Sequence, residues 1–452
     1  MVSPARRRLH VLYVAWGFVP HRGPGVYRPL ATANELARRG HRVTVLTADV
    51  DTFAVAVGAD DSLHRHVDAG IRVLRVPMLQ DLRDPIINRW PLARARSQRA
   101  WSRSVVEAHE RGFPEVVYAP WGPRAEAVAR LLHAQDPVDL TIATGNPYVD
   151  FTVALTLGVE HGVPFVLDDR DSWILDVYTG EELPNADRIR PWLDLAMQSC
   201  LEYWFVNPPI AEWHRARYPH EADKIHVVEN GWDPHFLSSA EVSAPRASAP
   251  PLRFSYIGTI NSGLPIRLIA EAWRQARSRS PLLHGAELQM VGHFGHAGTM
   301  TAEQAALRAE FAPDGVVFPG RRSKDRIAAA YAETDALLFA KEGSRMVTSG
   351  KVYEYVASGR PIVAVVEREH DARRVLDGYP RLHDAGAASV DAASVDAASV
   401  DSVAAALVAA ADDAVNHPQR LAAAVDFGAR YRRETVLARA LDRVEEAIAH
   451  GR

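Results

Sequence analysis

Short apolar runs alternate with amphipathic stretches along most of the chain, and this rhythm restricts the fold more than any other feature. "LHVLYVAW" (9–16), "HRVTVLTA" (41–48), "IRVLRVP" (71–77), "DLTIATG" (139–145) and "PFVLDD" (164–169) read as strands. Their brief, near-continuous apolar character fits strands covered on both faces. "PLATANELARRG" (29–40) has helical spacing and stops at Gly40, a residue that tolerates the positive φ of a helix end. A second helical pattern falls near 148–161. Strand, helix, strand in this order predicts parallel strands with crossover helices, a doubly wound sheet.

The rhythm stops and restarts. "IHVVENGWDPHF" (225–236) closes the first half, where Asn230 and Gly231 read as a tight turn. "LSSAEVSAPRASAPP" (237–251) lacks apolar period and reads as a linker. Strands are then expected at 252–259, 286–295, 315–321, 335–340 and 361–366, with helices at 264–278, 301–311, 323–333 and 349–358. The expected organisation is α/β: a Rossmann-like domain over 1–236, the linker 237–251, a second Rossmann-like domain over 252–417, and a long helix over 418–452 that packs back across the domains. "ASVDAASVDAASVD" (388–401) repeats a five-residue unit too few times for a solenoid and reads as an insertion without function.

A chain of 452 residues suffices for two cores. Its net charge of −4 gives no global field that would recruit nucleic acid. The single cysteine, Cys200, excludes an intramolecular disulfide and fits a reducing compartment. The opening "MVSPARRRLHVLYVAWGFVPHRG" mimics a signal peptide, but Gly17 interrupts its apolar run and no small-residue cleavage site follows. No run reaches the roughly 18–20 apolar residues that span a bilayer, so a cytoplasmic location is expected.

In such sheets ligands bind beyond the carboxyl ends of the strands, so the loops there carry the candidate chemistry. After the first strand comes "GFVPHRGPGVYR" (17–28). Gly23 and Gly25 fit a ligand-facing loop or a plain turn. The loop is not a dinucleotide fingerprint, because the third glycine and the later acid are missing, and the chain has no phosphate loop of the G-x-x-x-x-G-K-[ST] kind. "TGNPY" (144–148) offers Asn146, and "DDRDSW" (168–173) offers Arg170 and Asp171. An internal salt bridge with Trp173 in the core is the structural alternative for the latter cluster. In "SGKVYEYVASGRPIVAVV" (349–366) a lysine and a glutamate stand three apart at a helix start. Lys351 and Glu354 are either a surface pair or parts of an anion site, since a cation in a first turn opposes the helix dipole.

Four segments together, the Gly-rich loop, "PFVLDDRDSW", "IHVVENGWDPHF" and "SGKVYEYVASGRPI", give the chain a resemblance to the retaining glycosyltransferases of family 4, which have the GT-B architecture. The resemblance is closest to a subgroup acting on bacterial surface and exopolysaccharide sugars. It implies two Rossmann-like domains facing an interdomain cleft, the first for the acceptor and the second for a nucleotide-diphosphate sugar. Glu354 then binds the ribose hydroxyls, while Ser349, Gly350 and Lys351 meet the diphosphate. Asp171 orients an acceptor hydroxyl or takes its proton, and Arg170 pairs with phosphate; Gly23, Gly25 and Asn146 line the acceptor and phosphate loops.

The sequence departs from the family pattern at two places. Met346 stands where many members carry a second glutamate. "GTINSG" (258–263) keeps Gly258 but lacks the usual Arg…Lys-Gly pair, leaving phosphate charge to Lys351, Arg321, Arg322 or Arg267. The resemblance implies no metal and no cofactor, with hexosyl transfer to a sugar, lipid-linked sugar or small molecule. A sugar-nucleotide epimerase and a non-catalytic nucleotide-sugar binder are the rival readings. "RDPIINRWPLARARSQRAWSR" (83–103), rich in arginine and tryptophan, fits either a solvated helix or a peripheral contact with an anionic membrane.

Overall fold

The computed structural model describes residues 7–78, 86–115, 117–237, 249–260, 264–294, 300–322, 326–341, 346–367, 369–386 and 399–451. Most of the linker and of the five-residue repeat, and residues 83–85 of the basic stretch, lie outside the described residues. The chain divides into two units: Met1–Glu229 with Leu437–Arg452, and Asn230–Val436.

In unit 1, β1 (His10–Val14), β2 (Arg42–Ala48), β3 (Arg72–Val76), β4 (Leu140–Gly145), β5 (Phe165–Asp169), β6 (Glu202–Phe205) and β7 (Ile225–Val227) form one sheet. Its order is β3-β2-β1-β4-β5-β6-β7, with every pair parallel. Val11 sits between Val43 and Leu140 in register, so the centre of the sheet is aliphatic on both sides. The order reverses between β1 and β4, and the loops leaving those two strands flank the crevice where such sheets bind ligands. The helix Val149–His161 runs from the β4 exit to Gly162, whose φ of +67° ends it. β6 and β7 carry too little pattern to be foreseen. They are four and three residues long, and Glu202 interrupts the apolar run because its carboxylate is buried against the Trp204 indole and Arg443.

In unit 2, β8 (Arg253–Ile257), β9 (Glu287–Val291), β10 (Val316–Gly320), β11 (Ala336–Lys341), β12 (Ile362–Val366) and β13 (Leu382–Asp384) form a parallel sheet in the order β10-β9-β8-β11-β12-β13. One face buries Phe254, Leu288 and Trp273 with Leu407 of the helix Val400–Asn416. The other buries Ile257 and Leu337 with Val352, Tyr353, Tyr355 and Phe427. Here the order reverses between β8 and β11.

The long helix expected at the end of the chain is two helices, Arg420–Ala429 and Arg433–Ala449. Trp232 explains the break. Its N–H donates to the Tyr431 carbonyl at 2.9 Å, its carbonyl accepts from the Arg433 N–H at 2.8 Å, and its indole donates to Gly428. A helical period cannot reveal a backbone partner two hundred residues away. Residues 437–451 belong to unit 1, where Arg39 donates to Asp442, Glu445 and the Ala438 carbonyl. Among the described residues no helix is long and apolar enough to cross a membrane.

Candidate functional site

The helix Gly350–Ala357 follows β11, on one side of the point where the unit 2 sheet reverses order. Val352, Tyr353, Tyr355 and Val356 are fully buried and fix its inner face. The Tyr355 hydroxyl accepts from the Ile257 N–H at 2.8 Å, which pins the helix to the end of β8. At the far end, the Ser358 hydroxyl donates to the Tyr355 carbonyl and Gly359 turns the chain at a φ of +68°. This geometry leaves Lys351 and Glu354 on the half-buried side. No side chain caps the helix start at Ser349, and the Val352 N–H closes the first turn on the Ser349 carbonyl at 3.1 Å.

These two side chains each meet a tyrosine from another element. The Lys351 ammonium donates to the Tyr256 hydroxyl at 3.0 Å and stands 4.8 Å from the centre of that ring. The Glu354 carboxylate accepts from the Tyr331 hydroxyl at 2.9 Å, and Tyr331 is fully buried. Burial, followed by the Glu354 charge, pushes the Tyr331 phenol far above its usual range, so it remains a donor. Gly258 shows why β8 must leave on glycine. Its φ is +151°, and a Cβ there would fall 2.0 Å from both Cε and Nζ of Lys351. A Cβ on Gly292, at the β9 exit, would fall 1.8 Å from the Gly258 carbonyl oxygen. Neighbouring strand exits therefore approach one another through bare backbone beside a lysine.

Other residues singled out in unit 2 stand apart from this group. Arg267 is exposed on the helix Ile266–Arg279, with ion pairs to Glu271 at 3.7 Å and Glu310 at 3.4 Å. Arg321 is exposed one residue past β10, without an ion pair among the described residues. Met346 is buried, and Glu342 and Arg345 lie outside the described residues.

In unit 1 the structure brings the loops after β1, β4 and β5 together around one guanidinium. Arg170 donates from Nε to the Gly145 carbonyl at 2.7 Å, from Nη2 to the Asn146 carbonyl at 2.8 Å and from Nη1 to the Gly25 carbonyl at 3.3 Å. Gly23 and Gly25 of the first loop make room for side chains of unit 1 itself. A Cβ on Gly25 would meet the Arg170 guanidinium at 3.1 Å, and one on Gly23 would meet His21 Cε1 at 2.4 Å.

His21 was missed by the sequence reading, although it lies inside the quoted loop. Its Nδ1 accepts from the Gly23 N–H at 3.0 Å, so the neutral ring carries its proton on Nε2. Burial, with Arg170 nearby, lowers its pKa to about 4 and keeps the ring neutral. Trp16 and Phe53 pack against it edge-on.

"DDRDSW" sorts into structural and available residues. Asp168 and Arg28 form a buried bidentate pair, both contacts 2.7 Å, and Arg28 also donates to the Val228 and Glu229 carbonyls. The Asp169 carboxylate accepts from the N–H groups of Ser172 and Trp173 and from the Tyr148 and Tyr203 hydroxyls. Complete burial nevertheless pushes its pKa up to about 7. Those bonds fold the loop tightly enough to hold Ser172 at a φ of +67°, an uncommon conformation for a residue with a Cβ. Trp173 is buried and stacks on Tyr148 at 5.3 Å. Asp171 remains exposed, and among the described residues neither it nor Arg170 makes an ion pair. Asn146 is exposed beside them, whereas Gly231, at a φ of +60°, packs against the Tyr431 carbonyl as a turn.

Residues 252–413, which hold the Lys351–Glu354 group, match the family model described as glycosyl transferases group 1. No curated protein matches the chain. Among solved structures, a glycosyltransferase from Rickettsia africae aligns with a TM-score of 0.62 at 12% identity, over 98% of this chain and 99% of that one. Anabaena HepE, solved with UDP, aligns with a TM-score of 0.61 at 13% identity, over 97% and 100%. Sucrose-phosphate synthase from Thermosynechococcus elongatus aligns with a TM-score of 0.55 at 14% identity, over 98% and 100%. The α/β fold is that of the GT-B glycosyltransferases, and the family match over unit 2 supports a glycosyltransferase.

Proposed function

We propose that the protein is a retaining glycosyltransferase of family 4, moving a hexose from a nucleoside-diphosphate donor, UDP-linked as in the HepE complexes, to an acceptor hydroxyl of a bacterial surface polysaccharide or glycolipid. The observation that carries this reading is the Lys351–Glu354 group. An uncapped helix start and a lysine offer positive charge to a diphosphate, and one helical turn later a carboxylate suits the paired hydroxyls of a ribose. In the transfer, the acceptor oxygen bonds to the anomeric carbon as the bond from that carbon to the diphosphate oxygen breaks. The departing diphosphate gathers negative charge, which Lys351 and the backbone N–H groups of the helix start stabilise. Asp171 receives the acceptor proton, and Arg170, held by three carbonyls, keeps the loops around it in place.

The test is UDP release from UDP-sugars with a panel of sugar and lipid-linked acceptors, together with UDP binding. Wild type is expected to bind UDP and to release it in an acceptor-dependent manner, with α-anomers of the donor giving α-linked products. Glu354→Ala and Lys351→Ala are expected to lose binding, and Asp171→Asn turnover alone. Binding without turnover on any acceptor would leave a nucleotide-sugar-binding protein. UDP affinity unchanged in both unit 2 variants would overturn the donor site.

A further inference from the structure

Residues 86–106 hold five arginines and no aspartate or glutamate, in a chain whose net charge is negative. They form a 3-10 turn (Ile87–Arg89), a short helix (Leu92–Arg96) and the start of the helix Gln98–Gly112. Ile87 and Leu92 are 68% and 65% exposed, more than any other large aliphatic side chain among the described residues, and Ile86 adds to them at 40%. One cation is internal: Arg94 is buried, 4.0 Å from the Trp90 ring centre and 4.9 Å from that of Trp101. By binding two indoles at once it ties the short helix to the turn before it and the helix after it. The other four arginines are exposed. Arg89 has a loose ion pair with Asp51 at 3.6 Å; Arg96, Arg99 and Arg103 make none among the described residues. Arg99 and Arg103 are four apart on one helix, a spacing at which like charges destabilise the helix unless an anion lies over them.

We propose that this face docks on an anionic lipid bilayer, with Ile86, Ile87 and Leu92 entering the headgroup boundary and Arg96, Arg99 and Arg103 on lipid phosphates. The three aliphatic side chains exclude a nucleic acid backbone as the better fit, since they would remain in water against it. A second copy of the chain would set arginines against arginines across a two-fold axis. An anionic membrane satisfies the cations and buries the aliphatic groups together. The apolar payload is small, so attachment is shallow, reversible and dependent on lipid charge.

The experiment is flotation of the full chain with vesicles of phosphatidylcholine alone or with about a third phosphatidylglycerol, at low and high salt. Binding is expected on the anionic vesicles only, and is lost near about 1 M salt, where the screening length falls to about 3 Å. Arg99→Gln/Arg103→Gln is expected to lower partitioning about 25-fold, at about fivefold per cation. Ile87→Ser/Leu92→Ser is expected to lower it at least about tenfold. All four positions are exposed, so both variants are expected to keep the wild-type melting temperature, which checks folding separately. Equal binding to neutral vesicles, no binding at all, or an arginine variant that floats like wild type would each overturn the proposal. So would self-association that the Ile87→Ser/Leu92→Ser variant abolishes, or salt-sensitive capture of polyglutamate without vesicle binding. The readout needs no sugar transfer, so it stands or falls apart from the donor site.

Discussion

Gly258→Ala acts on the proposed donor site through one atom. The new methyl would overlap Cε and Nζ of Lys351 at 2.0 Å, and the backbone there has a φ of +151°. The overlap is with the far end of a flexible side chain, so Lys351 swings off Tyr256 and the sheet survives. Backbone strain costs about 1–3 kcal/mol, a fall in melting temperature of about 2–12 °C for a unit of this size. Loss of a charge-assisted contact to the diphosphate costs about 1.5–3 kcal/mol, which is about 10- to 150-fold in UDP affinity. Calorimetric titration with UDP and a thermal melt measure the two effects separately. Gly285→Ala is the control: its φ is +73°, but its nearest neighbour is Pro251 Cβ at 3.7 Å, so strain appears without moving Lys351. That variant is expected to melt earlier and bind UDP normally. In a Lys351→Met background, Gly258→Ala should weaken UDP no further, because the group it displaces is already gone. Wild-type UDP affinity in Gly258→Ala, or a full additional loss on top of Lys351→Met, would refute the reasoning.

Three further outcomes are expected. Wild type should prefer UDP over 2′,3′-dideoxyuridine diphosphate, and Glu354→Gln should erase about tenfold of that preference, on the proposed placement of the ribose hydroxyls against that carboxylate; an undiminished preference places the ribose elsewhere. Arg28→Ala should destabilise the protein to urea by about 3–5 kcal/mol by leaving the buried Asp168 without its bidentate partner, and Arg28→Met/Asp168→Leu should recover most of that; a cost near zero would show the pair to be dispensable. Asp169 binds a proton in the folded state up to about pH 7, whereas in the unfolded chain it has released it well below that. Wild type therefore loses stability relative to Asp169→Asn as pH rises from about 4 to about 7, at up to about 1.4 kcal/mol per pH unit. Denaturation curves across that range check it, and a wild-type stability that stays level or rises relative to Asp169→Asn as pH increases would contradict it.

The sheets were legible because their strands are buried on both faces and so read as apolar runs whatever lies around them. β6 was hidden by Glu202, an acid whose partners, Trp204 and Arg443, no local pattern announces. Lys351, Glu354 and Gly258 could be singled out for a similar reason, since they lie in two short segments with local signatures. Tyr256 and Tyr331, which hold the lysine and the glutamate, arrive from separate elements and looked like ordinary core tyrosines. In unit 1 no local pattern ranks the three neighbouring aspartates. Asp168 is answered by Arg28, 140 residues earlier, and Asp169 by two tyrosine hydroxyls and the loop's own backbone, which leaves Asp171 outward. Gly23 and Gly25 fitted either a ligand-facing loop or a plain turn, and the space their missing Cβ atoms leave is taken by His21 and Arg170.

Because unit 1 is assembled from two stretches of chain, with all of unit 2 encoded between them, its synthesis is split in time. As the chain leaves the ribosome, the seven strands of the first sheet are complete long before the helical residues that neutralise Arg39 and embrace Glu202 exist. The nascent unit passes through the translation of some two hundred residues with Glu35 on Arg39 and Trp204 on Glu202 but without those later partners, so its final locking reports that the other unit has already been made.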